Sequence, residues 1–151
     1  MATGGVQIDF NLIGASDLER AFQRLGLQMQ KKIARKALRA GGKIVLAAAK
    51  RFAAPLSKRL ARLLKLRARK RSRVKIGFNI WTPRREQLGI PEKAKGNWPV
   101  AWEMGFVHAK SGKHMPARSY MRRAADEYRD ACFGAIRNVL RNEIAAEWLK
   151  K

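Results

Sequence analysis

Two histidines, one cysteine and 11 carboxylates are all that this 151-residue chain, rich in lysine and arginine, offers for catalysis or metal binding. His108 and His114 stand six apart in a Gly/Lys stretch, with Glu103 the one carboxylate nearby. Metal sites place paired histidines at helical or short-turn spacing and supply further ligands close behind. Here those ligands must be drawn from a chain with few acids, so both histidines read as loop residues, exposed or satisfied. Cys132 is the sole cysteine, which rules out an internal disulfide and a cysteine-based zinc site. It falls on an apolar stripe and reads as a small buried hydrophobe rather than a nucleophile. Asp126, Glu127 and Asp130 lie on the first turns of a final helix, where carboxylates complement the helix N-terminus. Residues 40–43, AGGK, sit inside a helical pattern and lack the spacing of a phosphate loop. No catalytic residue, cofactor or metal is expected, and the chain does not read as an enzyme.

Charge is the stronger signal. Lys and Arg number 34 against 11 acids, for a formal net charge of +23. Self-repulsion of that size calls for a polyanion, an acidic protein surface or incorporation into an assembly. Residues 1–19 carry Asp9, Asp17 and Glu19 and no cation. Arg20 to Arg85 carry 22 cations and no acid, and from Glu86 onward 12 cations face 8 acids. Solvated helix faces mix signs for i,i+4 pairing, so a one-sign field reads as a binding or interface feature. Lys and Arg neutralise phosphates regardless of base sequence. No zinc-finger, RRM, KH or basic-zipper signature is present, so nucleic acid would be met as a charged rod.

A hydrophobic content of 46% is that of a globular chain, and the length suits one domain spanning 1–151. The opening MATGGVQIDF lacks the basic and apolar regions of a signal peptide, and the apolar run Ile44–Ala49 is too short for a bilayer. Synthesis in the cytoplasm without membrane association is expected.

The elements that would carry these charges follow from periodicity. Val6, Ile8, Phe10 and Leu12 alternate with polar residues, as in a half-buried strand. Ser16 and Glu19 form a capping-box pattern. Apolar residues then recur at steps of three and four from Leu18 to Phe52, predicting one long helix that ends before Pro55. Gly41-Gly42 interrupts it and implies a kink or a close helix contact. PLSKRLARLLK, from Pro55, is left open between a short helix and a loop. Leu64, Leu66 and Ala68, then Val74, Ile76, Phe78 and Ile80, alternate across a short polar turn and predict a β-hairpin. Its polar face and tip would hold Lys65, Arg67, Arg69, Lys70, Arg71, Arg73 and Lys75. Phe78 and Trp81 fall on its apolar phase or at a strand end, so base stacking is not supported. Residues 82–99 read as a long loop, mobile or ordered by a partner. VAWEMGFVHA, from Val100, reads as a strand, and the chain after Pro116 as one helix to the end. The expected class is α+β: a small antiparallel sheet with a basic β-hairpin, packed against a long N-terminal helix and a C-terminal helix.

In this order the chain resembles the tail-completion or neck proteins of long-tailed bacteriophages, the gene-product-ten-like group. Their pattern is a strand and long basic helix, an APxxTGxL segment, a basic hairpin, a YAxxVEFGT strand, a MPARPFLRPA turn and a final helix. FAAPLSKRL (52–60) stands at the second of these and VAWEMGF (100–106) at the strand, with Trp102, Glu103 and Gly105. MPARSYMRRA (115–124) matches the turn at Met115, Pro116, Ala117, Arg118, Arg122 and Ala124, with Tyr120 for the aromatic. Ser57-Lys58 replaces Thr-Gly, and Ser119 and Arg123 replace two prolines. The resemblance implies a structural virion protein that forms an oligomeric ring at the head–tail junction. Six copies would match tail symmetry, and twelve is the alternative, matching the portal. Its neighbours would be other neck proteins: a tail terminator, head-completion or adaptor rings. Genomic double-stranded DNA would pass through it, met by the phosphates or not at all, since the basic hairpin faces either DNA or an acidic ring. The implied location is the virion neck, after assembly in the bacterial cytoplasm. A free basic DNA- or RNA-binding protein is the competing reading.

Overall fold

A computed structural model describes residues 22–69, 76–84, 86–89, 98–108 and 110–149. The strand at 6–12 and the capping box at Ser16 lie outside the described residues, as do Lys70, Arg71, Arg73 and Lys75. Over the described residues the protein is α+β.

The longest element is α1, Leu27–Ala53. It is shorter than the periodicity predicts. Gly26, in an extended conformation, starts it without a side-chain cap, and Arg24–Gly26 separate it from a helical turn at Phe22. Glycine favours such a break because it loses most backbone freedom in a helix. At the other end the Ala54 N–H still donates to the Lys50 carbonyl, after which Pro55 cannot extend the ladder. The buried line of α1 is Ile33, Ala37, Gly41, Val45, Ala48, Ala49 and Ala53, mostly small residues that let neighbours approach closely.

The segment left open by the sequence is helical: α2, Lys58–Leu63, is capped by Ser57, whose Oγ accepts from the Leu60 N–H at 3.2 Å. Leu60 and Leu64 are fully buried. The predicted hairpin follows as β1, Lys65–Ala68, antiparallel to β2, Phe78–Trp81, with Leu66 opposite Ile80 and Arg67 opposite Asn79. Alternation turns Leu66 and Ile80 to one face and Lys65, Arg67 and Trp81 to the other.

Three expectations need correction. The stretch 82–99 is not wholly a loop, because Glu86–Leu88 form a 3-10 turn and Trp98 and Pro99 already belong to a helix. That helix, α3 (Trp98–Met104), replaces most of the strand expected from Val100. Only Phe106–Val107 are extended, as β3, paired with β4, His114–Met115. Among the described residues the strands thus form two separate two-stranded ribbons. The final helix is also split, into α4 (Tyr120–Glu127) and α5 (Arg129–Trp148), at Tyr128 with φ −107° and ψ 14°.

α5 lies against α1, with Cys132 and Ile136 buried at the contact. A Cβ on Gly41 would stand 2.7 Å from Ile136 Cγ1 and 2.8 Å from Cys132 Sγ, and one on Gly42 would stand 3.0 Å from Leu66 Cδ1. The glycine pair therefore admits α5 on one side and the hairpin on the other. Cys132 is the buried hydrophobe expected, and burial pushes its thiol pKa up. Tyr120, Met121 and Ala124 of α4 close the same core.

Candidate functional site

The segments WEMGF and MPARSYMRRA meet in one unit. Gly105 ends α3 at φ +76°, its N–H donating to the Ala101 carbonyl at 2.8 Å. A Cβ there would strike Ala117 N at 2.8 Å and the Met115 carbonyl oxygen at 2.9 Å, so both its conformation and its surroundings require glycine. The Arg118 N–H donates to the Trp102 carbonyl at 2.8 Å. Both the N–H and the hydroxyl of Ser119 donate to the Glu103 carbonyl at 3.2 Å.

Ser119 itself is left-handed, at φ 43°, and gives α4 no side-chain cap. Glu103 supplies it from another element. Its Oε2 accepts from the Met121 N–H at 2.8 Å and its Oε1 from the Arg122 N–H at 2.9 Å. A carboxylate in that position satisfies two of the N–H groups that a helix start leaves unpaired, and it meets the positive end of the helix dipole. Beside it Tyr120 is 1% exposed, and its hydroxyl donates weakly to the Pro99 carbonyl at 3.4 Å. Burial, with the Glu103 charge adding to it, pushes the Tyr120 phenol pKa above its ordinary value.

Trp102, Glu103, Gly105 and Tyr120 join α3 to α4 together with the backbone N–H groups of Arg118 and Arg122. Arg118 and Arg122 are otherwise exposed, as are Met115, Pro116 and Ala117, and Ala124 is buried in the core. His108 and His114 lie on the exposed β3–β4 ribbon, where Ser111 Oγ stands 3.0 Å from His108 Nδ1. No group of three or more potential metal ligands occurs among the described residues, and none of their helices is long and apolar enough to cross a membrane.

The second candidate surface is the basic one. Lys65, Arg67 and Arg69 are exposed on or beside β1. The Arg67 guanidinium lies 4.2 Å from the centroid of the Trp81 ring, so Trp81 stands on the basic face and one side of its indole is covered. Further cations are exposed on α1 and α2: Lys32, Arg35, Lys36, Arg39, Lys43, Lys58, Arg59 and Arg62. Sequence reasoning centred on the hairpin misses the α1 set, although its spacing of threes and fours is visible. At the start of α1, Gln28, Met29, Lys31, Lys32 and Arg35 line an open concavity. The acids gather instead on α4 and α5. Glu143 accepts from Lys36 across the helix pair, and Glu127 pairs with Arg123 at 3.4 Å.

No family model matches the chain, and neither does any curated protein or solved structure.

Proposed function

We propose that this chain is a structural protein of a tailed-phage virion, a tail-completion or neck protein that forms a ring around the DNA channel at the head–tail junction. The observation that carries the reading is the Glu103 cap on α4. Two of the three segments that resemble the family, WEMGF and MPARSYMRRA, are separate in the pattern yet physically interdependent here. The carboxylate of the first holds the helix launched by the second, and Gly105 makes room for the backbone between them. Shared residues in such a unit support common descent of the fold more strongly than a match along a single surface loop. The charge distribution supports the same setting, because an acid-free basic face is tolerable where a polyanion or acidic ring neutralises it. On this reading the chain performs no catalysis, acts as a homo-oligomer of six copies, and joins other neck rings.

Purified particles test it. The chain should be present in stoichiometric ring amounts, and loss of its gene should leave filled heads and tails unjoined. Normal joining without the protein would refute the proposal. A free DNA- or RNA-binding protein, the second reading, draws on the same cations and predicts tight, steeply salt-dependent binding by the unassembled chain.

A further inference from the structure

The structure presents a cation array on α1 separate from the hairpin. With Gly41 at the centre of the buried line, Lys32, Lys36, Arg39, Lys43 and Lys50 fall on the opposite side of the helix at about 100° per residue. All but Lys50 are exposed, and Lys50 is half-buried. The row runs about 27 Å at about 1.5 Å per residue. Lys36 is engaged by Glu143, and the other four have no ion-pair partner among the described residues.

We infer that this face of α1 binds the phosphate backbone of duplex DNA. The inference deepens the head–tail reading and rests on it for the choice of DNA. Four of the five cations are lysines, a residue depleted at protein–protein interfaces, where arginine is enriched. From Lys32 to Lys43 the row has no large apolar side chain to seed a protein interface. It also has no aromatic ring on which the bases of a single strand would stack. A straight, rigid row of point charges suits a rod of regularly spaced phosphates.

The test compares the full-length protein with a Lys32→Gln, Arg39→Gln, Lys43→Gln triple variant. Binding to a mixed-sequence DNA duplex is followed by fluorescence anisotropy across a salt series. Glutamine keeps helix propensity, so melting should be unchanged, and with less repulsion between copies the rings should form at least as readily. The slope of log affinity against log salt should fall by about 2.7, at roughly 0.9 for each phosphate that the variant no longer neutralises. A Lys110→Gln, Lys113→Gln variant on the β3–β4 turn should keep the wild-type slope. If the triple variant fails to fold, Arg39→Gln alone should lower the slope by about 0.9. An unchanged slope overturns the inference, as does an equal drop per charge in the Lys110/Lys113 variant. A triple variant that binds DNA normally but no longer assembles would overturn it too, making this face a contact with an acidic protein. A preference for single strands or for polyglutamate over the duplex would likewise overturn it. Absence of the wild-type chain from particles would remove the head–tail reading, while the slope comparison would still decide the role of α1.

Discussion

Glu103, Gly41 and Tyr120 each place a measurable constraint on the fold. Glu103→Ala removes both acceptors at the start of α4 and should cost about 1–2 kcal/mol in urea unfolding. Glu103→Gln, which keeps one acceptor, should lose less. The glycines of the two long helices should behave oppositely. Gly41→Ala must push against Ile136 and Cys132 and should destabilise by about 1–3 kcal/mol, despite its better helix propensity. At Gly134 a Cβ would meet nothing within 4 Å, so Gly134→Ala should stabilise by up to about 1 kcal/mol. Equal effects in thermal melts would contradict the close α1–α5 contact. Tyr120 gives a pH signature. Its folded pKa is raised, so the unfolded chain releases the phenol proton first. Its contribution is complete below about pH 10, the ordinary phenol value, and is lost as pH rises from there. The long hydroxyl contact to Pro99 makes Tyr120→Phe nearly neutral at pH 7. Above pH 10 the phenylalanine variant should be the more stable of the two. Parallel pH–stability curves would show that the phenol ionises freely in the folded state.

Among the elements, the β1–β2 ribbon carries exposed charge and buries little of its own surface. Replacing Arg67, Arg69, Arg71 and Arg73 by Glu should therefore preserve the fold, losing about 0.5–1 kcal/mol from the Arg67–Trp81 contact. Circular dichroism checks the fold, and, on the proposed function, complementation of a phage lacking the gene checks assembly or DNA passage. A collapse of the helical spectrum would make those charges structural. α1, the β1–β2 pairing and the burial of Cys132 were legible because period and composition agreed over many residues. α3 was not, because Trp98, Val100, Trp102 and Phe106 suggest a strand by residue type. The contrary signal was short but present, with Pro99 just inside the helix and Gly105 just past it. The break at Tyr128 has no such punctuation. It is a tertiary effect, with the Tyr128 hydroxyl accepting from Arg51 Nη2 and the same guanidinium over its ring. For the candidate site, sequence periodicity marked the hairpin cations, and the resemblance to the phage neck proteins marked the motif residues. Neither could reveal that Glu103 caps α4, since that bond crosses between two elements.

Across the whole molecule, the described residues of α1, α2 and β1 include no acid, and Lys36 forms an ion pair with Glu143 of α5. A monomer of net charge +23 repels its own copies, so ring formation by this chain should be weak at low salt. It should strengthen when salt or DNA screens the basic faces, which sedimentation with and without duplex will show. Oligomers that dissolve on adding DNA would mean that the basic face is itself the contact between copies. Cryo-electron microscopy of the neck of intact particles tests the proposed ring at the head–tail junction most directly. A ring of this chain should surround the channel, with α1's row of Lys32, Arg39 and Lys43 turned toward the DNA. A fully resolved neck with no density for this chain would contradict it.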